Sequence, residues 1–214
     1  MATIQYFSVG KPKQMTYGEG KSMETGICKE AVTEAFLSKD GFTGDGIADT
    51  KHHGGPDRAV CIYPFEHYAQ WEIEFGKTLP PAAFGENLTV SGMLEKEVAI
   101  GDIYRVGEAV IQITQGRIPC NTIDRRVGIS TMMKRMVETG FTGYLCRVLE
   151  EGNVRSDSPI TLVEKHQDNV TVLFGNNTYF HDAKNVAAME KIIHVDALAA
   201  NWYERFDKRL QKLR

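Results

Sequence analysis

Between Thr3 and about residue 164, apolar residues come in short runs broken by glycine, aspartate, asparagine or proline. The runs TIQYFSV, TGICKEAV, EAFLS, AVCIYP, ENLTV, EVAIG, IYRVG, AVIQITQ, GYLCRVLE and ITLVEK are rich in β-branched and aromatic residues, which predicts strands. Many short strands with few long helices predict a barrel or a sandwich. Two segments keep a helical period instead. PFEHYAQWEIEFG opens on a proline suited to a first turn and spaces Phe65, Tyr68, Trp71 and Phe75 along one side. STMMKRMVETG offers Ser130 as an N-cap and Gly140 as a stop, with Met132, Met133, Met136 and Val137 on a side read as core.

After Lys165 the spacing becomes helical throughout. Val186, Met189, Ile192 and Ile193 form one stripe, and Leu198, Trp202, Phe206, Leu210 and Leu213 form another. A weaker third segment lies around NVTVLFGNNTYF. The predicted organisation is a mainly β unit over residues 1–164 followed by a small all-α unit over residues 165–214.

Composition adds boundaries to this picture. A chain of 214 residues with 42% hydrophobic and 25% charged residues is ordinary for a globular protein, and a net charge of −3 argues against wholesale binding to nucleic acid. The basic end RFDKRLQKLR reads as a solvated helix face with cations near the negative end of the helix dipole. No apolar run is long enough to span a bilayer, and MATIQYFSVG lacks the layout of a secretory signal, so a cytoplasmic location off the membrane is expected. The four cysteines show no CxxC pair and no zinc-ribbon spacing, which argues against a disulfide framework or a structural zinc site. Cys28, Cys61 and Cys146 sit in strand-like apolar runs, where a thiol behaves as a small buried hydrophobe.

Two stretches carry chemistry. In QGRIPCNTIDRRVG, Cys120 stands among Arg117, Arg125 and Arg126, an electropositive setting that favours a thiolate. In GDGIADTKHHGGPDRAV, five glycines or prolines predict a tightly turned loop that delivers Lys51, His52, His53 and Arg58 close together. Adjacent residues of an extended chain point to opposite sides, so His52 and His53 are poorly placed to share one metal ion. Asp45, Asp49 and Asp57 do not follow the spacing of a calcium loop. Glycine-rich backbone with nearby cations suits an anion instead.

DGIADTKHHGGPDRAV, FGENLTVSG, GDIYRVGEAVIQITQGRIPC and the following RRVG, taken in order, resemble the motif set of MOSC domain proteins, in particular their bacterial YiiM-like branch. The family is homologous to the C-terminal domain of molybdenum cofactor sulfurase. The resemblance implies a β-barrel related to the one inserted in pyruvate kinase, with a three-helix domain behind it. It implies that Cys120 is the signature cysteine, as the protein ligand to molybdenum in a bound molybdopterin cofactor or as a persulfide carrier. It further implies that Lys51, His52, Arg58, Asn87, Arg117, Arg125 and Arg126 line the cofactor pocket. Relatives of this type reduce N-hydroxylated compounds, including hydroxylated purine base analogues, with electrons from a partner reductase. A soft thiolate suits a metal already held by the two sulfurs of a pterin dithiolene. His52 or His53 is the expected proton donor. No pyridoxal phosphate lysine motif or iron–sulfur cysteine cluster accompanies these motifs, so no pyridoxal chemistry is expected and the electrons are expected from a separate protein. A persulfide sulfur carrier and a non-catalytic molybdopterin- or anion-binding module are the alternatives.

Overall fold

The computed structural model describes residues 2–48 and 54–214. In chain order the strands are β1 (Thr3–Val9), β2 (Lys13–Tyr17), β3 (Lys21–Thr25), β4 (Glu30–Ala31), β5 (Glu34–Ser38), β6 (Gly41–Phe42), β7 (Val60–Pro64), β8 (Leu88–Ser91), β9 (Ile103–Val106), β10 (Ala109–Gly116), β11 (Tyr144–Glu150), β12 (Gly152–Arg155) and β13 (Ile160–Glu164). The helices are α1 (Glu66–Phe75), α2 (Thr122–Val127), α3 (Met132–Thr139), α4 (Val172–Phe180), α5 (Val186–Ile193) and α6 (Ala200–Leu213). Eight strands form one curled sheet, a half barrel, in the order β13-β9-β10-β11-β7-β8-β1-β4. Neighbours pair antiparallel except β7 and β8, which run parallel across the connection that contains α1.

Alternation along β10 and β11 puts Ile111, Ile113, Tyr144, Cys146 and Val148 inside the curl with Phe7, Ile62, Leu88 and Val90. The same cluster runs on into Met189, Ile192, Trp202, Phe206 and Leu210 of α5 and α6, so the helical unit closes the core of the sheet. Each such side chain contributes on the order of 1.5–3 kcal/mol by leaving water. A second cluster gathers Tyr63, Tyr68, Trp71, Phe84, Ile123, Val127, Met132 and Met136 under α1, α2 and α3. Met132 and Met136 are therefore core, as expected from their spacing.

Several local expectations need correction. EVAIG is not a strand: Asp102 accepts the Ala99 N–H at 2.9 Å and closes a turn, leaving a lone bridge from Ala99 to Thr171. TGICKEAV breaks at Gly26, and Cys28 lies in irregular chain, partly exposed, rather than in a buried strand. Ser130 is not the cap of α3; Thr131 stands there and makes no side-chain capping bond. Gly140 does end α3, in the left-handed conformation. The pairing of β2 with β3, strand β12 and the six-residue helix α2 had no clear apolar signature.

Candidate functional site

Strand β10 delivers the Cys120 corner. The Arg117 N–H donates to the Gly143 carbonyl at 3.0 Å, which carries the ladder with β11 past Gly116. The Cys120 carbonyl then accepts the Ile123 N–H at 3.1 Å and opens the first turn of α2. Cys120 thus sits, half-buried, where a strand end meets a short helix.

Arg117 is the electrostatic centre of this corner. Burial alone pushes its guanidinium down; the charges of Cys61 and Cys120, then Glu86 and Tyr63, outweigh that effect and push it up. Its Nη1 is buried and has no hydrogen-bond partner among the described residues. Such an atom is costly unless something accepts from it. On the inner side stands Glu86, fully buried, accepting from the Tyr68 hydroxyl at 2.5 Å, the Thr89 hydroxyl at 2.7 Å and the Phe84 N–H at 3.1 Å.

Cys61, read from sequence as core filling, belongs to the same surroundings. Leu145 pairs with Gln115 on one side and with Cys61 on the other, so Cys61 and Gln115 stand level on the same face of the sheet. Arg117 follows Gln115 by two residues and emerges on that face too. Burial pushes the Cys61 thiol up, with Arg117 working against it. Cys146, by contrast, is fully buried inside the curl, and burial pushes its thiol far up. Sequence reasoning missed Cys61 because its strand reads as apolar throughout; the signal is the pairing register, which appears only in the fold.

Helix α2 brings two further cations. The Arg125 guanidinium lies 4.8 Å from the centre of the Tyr17 ring, and its Nη1 donates to the Met23 sulfur at 3.3 Å. Arg125 therefore ties the β2–β3 hairpin to the corner. The Nε of Arg126 is buried and has no partner among the described residues.

The glycine-rich loop is anchored at both described ends. On one side Asp45 accepts from the Gly10 N–H at 2.9 Å, from the buried Lys29 ammonium, and from the Asn87 amide at 2.8 Å. Asn87 also accepts the Cys61 N–H at 3.0 Å, so its side chain braces strand and loop. On the other side Gly54 and Gly55 have φ of 82° and 95°, and a Cβ on Gly54 would lie 2.2 Å from the Ile47 Cδ1. A single helical turn, Pro56–Arg58, follows. Arg58 is half-buried; burial pushes its guanidinium down, Asp57 opposes this, and the charge of Arg205 on α6 adds to it. The charge of Arg205 thus links Arg58 electrostatically to α6, while Cys120, Arg117 and Cys61 act on one another at the end of β10. Lys51, His52 and His53 lie outside the described residues.

Among the described residues no group of three or more His, Cys, Asp or Glu side chains is placed to hold a metal ion. No helix of the described residues is long and apolar enough to cross a membrane.

Comparison with known proteins completes the picture. Residues 49–161 match the MOSC domain, and residues 170–213 match the YiiM-like, 3-alpha helix domain. The chain is 44% identical over 212 residues to YflK of Bacillus subtilis (strain 168), covering 99% of this chain and 96% of that protein. It is 36% identical over 146 residues to a protein of Gibberella moniliformis named Reductase, covering 64% of this chain and 25% of the fungal protein. The crystal structure of YiiM from Geobacillus stearothermophilus superposes with a TM-score of 0.84 at 35% identity, over 98% of this chain and all of that one.

Proposed function

Because the chain belongs to the MOSC domain family and carries the YiiM-like three-helix domain, we propose that it binds a molybdenum cofactor at the Cys120 corner and reduces N-hydroxylated compounds. The observation that supports this most is Arg117, a half-buried cation that interacts electrostatically with Cys120 and whose buried Nη1 has no hydrogen-bond partner among the described residues. The buried Nε of Arg126 points the same way. N–H donors of this kind fit the oxygen atoms of an anionic pterin phosphate. In this reading Cys120 is the sulfur ligand to the metal, and Arg117, Arg125, Arg126, Arg58 and Lys51 hold the anionic and polar parts of the cofactor. Asn87 contributes by fixing the backbone of Cys61 and the loop at Asp45.

The bound group supplies the redox chemistry, in which the N–OH bond breaks and the product amine and water leave after two electrons and two protons enter. The chain binds, orients and keeps the charge of the corner positive, so that the Cys120 sulfur stays anionic. His52 or His53 is proposed to hand on a proton. The electrons come from a separate protein. The fungal Reductase supports this arrangement, since the region like this chain fills only a quarter of it.

The test is metal and pterin analysis after expression in a host that makes the cofactor. Wild type is expected to keep molybdenum stoichiometrically and Cys120→Ser to lose it. Wild type free of molybdenum and pterin overturns the reading, and a persulfide on Cys120 in that metal-free protein assigns sulfur transfer instead.

A further inference from the structure

The first residues of α6 grip both chain segments that carry proposed site residues. The Ala199 N–H donates to the Thr114 carbonyl at 3.1 Å, three residues ahead of Arg117 on β10. The Ala200 N–H donates to Oδ2 of Asp57 at 3.0 Å, one residue ahead of Arg58. The two grips are cross-linked. Arg147 of β11 forms an ion pair through Nη2 with Oδ1 of Asp57 at 2.8 Å, and its Nη2 donates to the Ala197 carbonyl at 3.0 Å. The Thr114 hydroxyl donates to the Asp57 carbonyl at 2.6 Å. Asp57 thus binds the sheet and the helical unit at once, two residues after Gly55 and directly after Pro56.

We propose that Asp57 and the start of α6 form a clamp that sets the Gly54–Arg58 arm against β10, which makes the three-helix domain a positioning element of the cofactor site. The claim rests on the cofactor reading above only for what is bound. A carboxylate that fixes a ligand-bearing segment without touching the ligand typically changes affinity about 10–100-fold when removed.

The experiment compares Asp57→Ala and the gentler Asp57→Asn with wild type. On the cofactor-free proteins, hydrogen exchange is followed by mass spectrometry in peptides covering Gly54–Val60 and Ile111–Cys120, with β1 and β8 as internal references. Faster exchange in both arms, unchanged references and Asp57→Asn in between are expected. On protein from a cofactor-making host, the rate of molybdenum loss during dialysis is expected to rise at least about tenfold in Asp57→Ala. Wild-type exchange in either arm overturns the clamp, and so does altered exchange with wild-type retention. If Asp57→Ala fails to fold, Asp57→Asn and Arg147→Lys carry the same two readouts. Wild type without cofactor defeats the reading of the previous section, while the exchange data still decide the clamp.

Discussion

Gly116 is the last residue of β10, directly before Arg117, and replacing it by alanine tests how the helical domain supports the site. A Cβ there would lie 1.8 Å from Oδ1 of Asn176 and 3.1 Å from Cη2 of Trp202. The Asn176 amide now donates to the Gly140 carbonyl at 2.8 Å and to the Thr142 hydroxyl at 3.0 Å, and it must leave those partners to clear the methyl group. Overpacking a buried site costs about 1–3 kcal/mol. Losing two buried hydrogen bonds adds about 0.5–1.5 kcal/mol each. Gly116→Ala should therefore destabilise by about 2–6 kcal/mol, which for a chain of this size lowers Tm by roughly 4–24 °C. Chemical denaturation followed by circular dichroism measures the loss directly. Pairing it with Asn176→Ala makes the test specific, because removing the amide also removes the clash. The double variant should be more stable than the sum of the single losses predicts, by about 1 kcal/mol or more. Additivity within about 0.5 kcal/mol, or a single Gly116→Ala that melts like wild type, refutes the contact as the cause.

Three further outcomes follow from the same geometry. At pH 8, iodoacetamide should alkylate Cys120 before Cys61 and Cys146, whose thiols burial pushes up, and peptide mapping that finds Cys61 labelled first contradicts the assignment. Replacing Arg117 by methionine should slow Cys120 alkylation and abolish cofactor retention while leaving the fold intact, because the methionine keeps the packing and removes only the charge and its N–H groups. Tyr63, Tyr68 and Tyr144 are raised well above 10.0, chiefly by burial, so the folded state holds their protons more tightly than the unfolded chain does. Their contribution to stability is then fully present below about pH 10 and is lost above it, and ultraviolet difference titration should show these tyrosines ionising only together with unfolding, not ahead of it.

The division into sheet and helices was legible because burial imposes a period, and burial accounts for most of both units. The ladder β9-β10-β11 and the stripe Leu198, Trp202, Phe206 and Leu210 come from that period alone. Cys120 stood out for a different reason, the density of arginines around it in sequence, and the charge of Cys120 acts on Arg117 in the fold. What stayed hidden depends on pairs distant along the chain. Asp57 meets Arg147 and Ala200, Asn87 meets Asp45, and Cys61 comes level with Gln115 only through Leu145. A short polar side chain in a turn reads as a turn former. Its second role, as the acceptor for groups that arrive from elsewhere, leaves no trace in the local pattern. Asp57 shows how far the two roles diverge. As a turn residue it is replaceable by asparagine, serine or glycine; as the joint between β11 and α6 it needs two carboxylate oxygens facing a guanidinium and a helix start. Substitutions at residue 57 should therefore rank by acceptor geometry rather than by turn propensity, with asparagine above serine and serine above glycine in holding the arm to α6.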